Sequence, residues 1–114
     1  MPIPLIIGAG ALAASGLGIT KGAKGVSQLS DKEGMLFPFP KEESHGFWMK
    51  DTLMSLDIIW IDAGGVIVHI EHDVTPDTYP KVFGKDIDSQ YVVELETGQA
   101  KELGIEVGDM FQLL

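Results

Sequence analysis

The densest grouping of side chains able to do chemistry is Val68-His69-Ile70-Glu71-His72-Asp73, in which two imidazoles alternate with two carboxylates. Imidazole nitrogen and carboxylate oxygen suit zinc, manganese or iron, so His69, Glu71 and His72 are the candidate metal ligands. Successive side chains of a strand point to opposite faces. His69 and Glu71 therefore share a face, and His72 points away unless a bulge re-aims it. A complete site then needs His45 or Asp57 from elsewhere in the chain. The competing reading is a solvated strand end leading into an acidic loop.

Asp57 interrupts the apolar run Leu56-Asp-Ile-Ile-Trp-Ile and lies on the strand face of Ile59 and Ile61. A carboxylate there must find partners: turn amides, Lys50, Thr52 or Tyr91 for a structural role, or a substrate for a catalytic one. Phe47 and Trp48 point to opposite faces, so one enters the core and the other is available beside Trp60, Tyr79 or Tyr91. Exposed coplanar rings could stack on a sugar or grip a peptide. Trp48, Lys50, Asp57 and Tyr79 are the candidate ligand-binding residues, with core packing of Trp48 and Trp60 as the alternative. Nucleophilic catalysis has little to work with: cysteine is absent, there is no Gly-x-Ser-x-Gly elbow, and Ser44-His45 has no evident orienting acid. Asp86-x-Asp88 lacks the glycine and terminal glutamate of a calcium loop. No catalytic residue is assigned, and no cofactor is expected apart from the metal considered above.

These residues sit in a chain of 114, enough for one small domain, with 45% hydrophobic content. Without cysteine its stability must come from packing. All 17 acidic residues follow Ser30, and the formal charge is −9. Eight lysines and no arginine make nucleic acid an unfavoured partner, because phosphate backbones bind clustered Lys and Arg. Pro2 to Thr20 carries no charge, and Gly10, Ala14, Gly18 and Gly22 recur at every fourth position. On a helix that spacing makes a face of small residues that lets another backbone approach. Residues 1–20 are thus expected to form an apolar helix for a membrane or an assembly, 21–30 a linker, and 31–114 an acidic β domain. A cleavable signal, with Ala11-Leu-Ala13 as its small-x-small site and a mature start near Ala14, is one alternative; a flexible or buried arm is another. Self-association or a membrane or assembly partner is expected, in the envelope or a particle, with export as the variant. Gly8-Ala-Gly10-Ala-Leu-Ala13 imitates a dinucleotide fingerprint, but no crossover helix and second strand follow it.

Within the β domain, Met35 to Phe39 predicts a short strand closed by Pro38 and Pro40, and Phe47 to Met49 a second one. Leu56 to Ile61 and Val66 to Glu71, joined across Asp62-Ala-Gly64-Gly65, predict a β-hairpin. Val74 to Ser89 reads as a long loop, Tyr91 to Glu96 as a strand, and Thr97 as the cap of a short helix ended by Gly104. A last strand is expected over Met110 to Leu113. The fold expected is mainly β (α+β): a small antiparallel barrel or sandwich with one short helix, preceded by the N-terminal apolar helix.

Gly34-Met-Leu-Phe, Phe47-Trp-Met-Lys-Asp-Thr52, Leu56-Asp-Ile58 and Gly104-Ile-Glu-Val-Gly-Asp109 follow one another in an order and spacing that resembles the domain-of-unknown-function 192 (DUF192) family over about residues 29–113. The resemblance implies a small β domain and no known reaction. It also implies a first strand and an arginine-containing run ahead of Gly34; here only Leu29 stands in register, and the arginine is absent. The sheet edge is then either covered by some other segment or left to recruit a strand from a neighbour. The Gly108-Asp109 pair looks like a turn in which the aspartate ties backbone amides. A non-catalytic binding or structural role is favoured, with an exported sugar- or peptide-binding domain and a metal- or carboxylate-based enzyme as alternatives.

Overall fold

A computed structural model of the chain describes Ile3–Ile6, Ala13–Ala14 and residues 33–113. The framework is an antiparallel sheet of β1 (Ile3–Ile6), β3 (Glu33–Ser44), β4 (Leu56–Ile61), β5 (Ile67–Val74) and β6 (Asp88–Glu96), in the order β1-β3-β6-β4-β5. A separate parallel pair joins β2 (Ala13–Ala14) to β7 (Gln112–Leu113). The single short α-helix among the described residues, α1, spans Gln99–Glu102.

The hairpin expected across Asp62 to Gly65 is present. Asp62 Oδ1 accepts the amides of Gly64 and Val66, each at 2.9 Å, and Gly65 takes the positive φ of 88° that the turn requires. All six residues of β4 are buried, which explains why that strand shows no alternation of polar and apolar residues. Both of its faces are covered. On one, Leu36, Ile59, Ile61, Val93 and Leu95 pack with Ile67, Ala100, Ile105 and Phe111. On the other, Met35, Leu56, Ile58, Trp60 and Val92 pack with Phe47, Met49, Met54 and Phe83. A strand with core on both sides needs apolar residues at every position, and β4 tolerates one exception, Asp57.

Several expectations are corrected. The sheet is open, with β1 and β5 as its edges, so the described residues do not form a closed barrel. The apolar segment is not described as a helix: Ile3–Ile6 pairs antiparallel with β3, Ile3 opposite Leu36 and Ile6 opposite Glu33. Of the small-residue stripe, Ala14 lies in β2, while Gly10, Gly18 and Gly22 fall outside the described residues. No helix among the described residues is long and apolar enough to cross a membrane. The physical reason is the uncovered backbone of β3, whose N–H and C=O groups take up an extended partner from the chain's own N-terminus. Pro4 and the isoleucines suit an edge strand better than a helix interior.

β3 also runs through Pro38 and Pro40 where a strand end was expected. The register with β6 shifts between Pro38 and Glu43, and β1 pairs only with residues 33–36, so neither proline has to donate to a ladder. Phe47 to Met49 contributes a single bridge, Phe47 to Phe83, and no strand. Thr97 does not cap α1; Gly98 does, at φ 89°, because the Thr97 hydroxyl donates instead to Asp73 Oδ1 at 2.8 Å. Gly104 closes the helix at φ 68° as expected, and Asp109 Oδ2 accepts the Glu106 amide at 2.9 Å.

Candidate functional site

The layer covering Trp60 presents the exposed aromatic residues. Phe47 and Phe83 exchange backbone hydrogen bonds of 2.9 and 2.8 Å, and both side chains turn into the core. Their neighbours must then turn outward. Trp48 is 37% exposed and Val82 40% exposed, and the antiparallel bridge sets them opposite one another. The Trp48 ring lies 5.1 Å from that of Tyr79, itself 43% exposed, at an interplanar angle of 52°. Lys50 Nζ stands 5.7 Å from the Trp48 ring, within cation–π reach. Tyr79 is delivered by a short 3-10 turn, Pro76–Thr78, which the Thr78 hydroxyl fastens by donating to the Thr75 carbonyl at 2.7 Å.

Three of the four ligand-binding candidates, Trp48, Lys50 and Tyr79, thus meet on one surface. The rings are tilted where coplanarity was expected. Trp60 belongs to the core, and Tyr91 packs against the opposite cluster near Phe111.

Asp57 is the fourth candidate and lies elsewhere. Fully buried, it accepts the Asp73 amide through Oδ1 and the Ala100 amide through Oδ2, both at 2.9 Å. The expected partners among turn amides are the ones it has. Its position explains the bulge in β5: Leu56 pairs with Val74 and Ile58 with Glu71, so His72 and Asp73 together face Asp57, and Asp73 takes a positive φ of 51°. The carboxylate ties β4, the bulge and the first turn of α1 together.

The metal candidates divide. His69 Nε2 and Glu71 Oε2 lie 2.7 Å apart on one face of β5, both half-buried, while His72 sits exposed on the bulge. His45 is committed elsewhere, its ring stacked on Phe39 at 3.7 Å between centroids. Among the described residues no three potential ligands converge on a metal position.

His69 and Glu71 do have a role in a feature that sequence reasoning missed. They form one wall of a groove of about 220 Å³ whose other wall is Lys81 to Ile87. His69 leans on Trp60, its cross-strand neighbour, with ring centroids 5.3 Å apart. Lys81 Nζ lies 4.8 Å from the Phe83 ring, and the Ser44 hydroxyl holds the carbonyl of Lys85. Lys81, Gly84 and Lys85 sit in a long loop with no periodicity, so nothing local marked them; the one signal was a glycine inside an otherwise ordinary run.

The fold and site define a small open-sheet β domain with an exposed aromatic pair beside a charged groove. The DUF192 family profile, described as Uncharacterized ACR, matches residues 11–113, and the chain belongs to that family. Among solved structures, a proposed transcription regulator from Sinorhizobium meliloti 1021 is 27% identical with a TM-score of 0.73, over 96% of this chain and 89% of that one. A protein of unknown function from Novosphingobium aromaticivorans DSM 12444 is 25% identical with a TM-score of 0.73, over 95% and 81%. Nothing among curated proteins matches the chain.

Proposed function

We propose that this chain is a non-catalytic binding domain that holds saccharide through the Trp48–Tyr79 pair, with Lys50 at its side. The observation that carries the reading is the exposure of two large aromatic rings side by side, although a core is available to bury them. Such rings present a face for the C–H groups of a sugar and polar edges for its hydroxyls. Trp48 is anchored by the Phe47–Phe83 bridge and Tyr79 by the Pro76–Thr78 turn, so little ordering cost falls on binding. A peptide added as an extra strand is the weaker fit. The β5 edge carries charge and a bulge, and Ile67 at its start is already hydrogen-bonded to Gly108 and Asp109. The regulatory role proposed for the Sinorhizobium protein is not carried over to DNA binding here, because a chain of charge −9 without arginine lacks the basic surface that phosphates require.

In NMR titrations with neutral and acidic oligosaccharides, the ring resonances of Trp48 and Tyr79 are expected to shift. Trp48→Ala and Tyr79→Ala are each expected to weaken binding about tenfold, a loss of about 1.4 kcal/mol. Because both side chains are exposed, folding stability should change by less than about 1 kcal/mol. Absence of any shift with every saccharide tested removes the proposal.

A further inference from the structure

We infer that the groove between β5 and Lys81–Ile87 is the continuation of the aromatic platform and selects an acidic saccharide, one that carries a carboxylate on the ring next to the stacked sugar. The inference rests on the stacking role of Trp48 and Tyr79 and adds the substrate class.

Continuity comes from Val82. It faces outward across the bridge from Trp48 and also lines the groove, so the platform and the groove share a boundary residue. Lys81, two residues beyond Tyr79, and Lys85 both line one wall of the groove. They are two of only five lysines after residue 32 in a strongly acidic chain, so their pairing here runs against the overall charge. The Lys81 ammonium lies 4.8 Å from the Phe83 ring centroid, a cation–π contact that holds the side chain at the groove and lowers the cost of fixing it on a ligand.

The opposite wall is polar in a different way. Glu71 holds the His69 ring at 2.7 Å while Trp60 supports its face, so a carboxylate and an imidazole are offered together, suited to neighbouring hydroxyls. Gly84 brings backbone against Trp60 and leaves the groove floor without a side chain. Lysines on one wall and hydroxyl-binding groups on the other fit a sugar acid better than a neutral sugar or a bare anion. For a bare anion, Glu71 and Asp86 would oppose the pull of the two lysines, with no hydroxyl contacts to His69 and Glu71 to add to the binding.

The test compares oligogalacturonate with neutral galacto-oligosaccharide of equal length by calorimetry on the full chain. Oligogalacturonate is expected to bind about tenfold more tightly at low salt, and Lys81→Ala/Lys85→Ala to erase that preference while leaving the neutral sugar unaffected. Added salt should narrow the gap in the parent and do nothing in the double variant. Equal binding of both sugars to the parent overturns this inference and leaves the aromatic platform standing; binding of neither overturns both. A bound uronate whose affinity ignores the two lysines also overturns it. Both substituted side chains are exposed, so unchanged circular dichroism is expected to accompany the loss of preference.

Discussion

Asp57→Ala is expected to destabilise the domain by about 3 to 5 kcal/mol, the largest effect of any single change considered. The substitution removes one carboxylate and strands two donors, the buried amide of Ala100 and the part-buried amide of Asp73 on the bulge. Each buried, unsatisfied amide costs about 1 to 3 kcal/mol. The consequences extend beyond the two bonds. Asp73 holds its positive φ next to Asp57, and its own carboxylate accepts the Thr97 hydroxyl, whose backbone amide donates to the Ser55 carbonyl at 3.2 Å. Without Asp57 the bulge, the Thr97 turn and the start of α1 lose their common anchor. Asp57→Asn keeps one acceptor but sets an NH2 group against a backbone donor, so about 2 kcal/mol is expected. Urea denaturation followed by circular dichroism measures both, against a total that for such domains is about 5 to 15 kcal/mol. A loss below about 1 kcal/mol for Asp57→Ala contradicts the anchoring role. If Asp57→Asn remains folded, it should bind saccharide like the parent, because Asp57 lies away from the platform.

Gly84→Ala is expected to cost about 3 kcal/mol for two separable reasons. At φ 71° an alanine pays the left-handed penalty of about 1 to 2 kcal/mol. Its Cβ would also stand 2.2 Å from Trp60 Cε2 and 2.5 Å from Trp60 Nε1. The indole cannot give way, since it is fully buried and its Nε1 donates to the His45 carbonyl at 2.9 Å. Gly104→Ala is the control: its φ is 68°, with no atom within 4 Å of a new Cβ, so it should show the conformational penalty alone. The difference in unfolding midpoint between the two variants reads the packing contribution. Equal losses would show that the loop moves freely off Trp60, and the groove floor would then lack the rigidity assigned to it.

Much of the candidate site was legible because local chemistry carried it. Trp48 and Lys50 attract notice as polar-edged residues beside a short expected strand, Tyr79 as an aromatic in a long loop, and Asp57 as a charge inside an apolar strand. What could not be read was which of them meet. Trp48 and Tyr79 are 31 positions apart in sequence, and only the Phe47–Phe83 bridge determines that they share a surface. The same bridge decides which of Phe47 and Trp48 is core, a choice the alternation of a strand leaves symmetrical.

At the N-terminus the apolar run suggests a helix, yet Ile3–Ile6 pairs with β3, while Gly10, Gly18 and Gly22 of the small-residue repeat lie outside the described residues. Backbone groups along an open edge of β3 are a demand that no local pattern in residues 1–20 encodes. By itself the sequence determined a cysteine-free acidic β domain, the β4–β5 hairpin with its glycine turn, the αL end of α1 at Gly104 and the family. All of these rest on periodicity, backbone conformation or residue type, which act over a few positions. The tertiary structure alone decided the open sheet, the strand that covers its edge, the partners of Asp57 and the groove under Lys81 and Lys85. Each of those depends on contacts between segments far apart in the chain, where the order of packing decides and short-range preference does not.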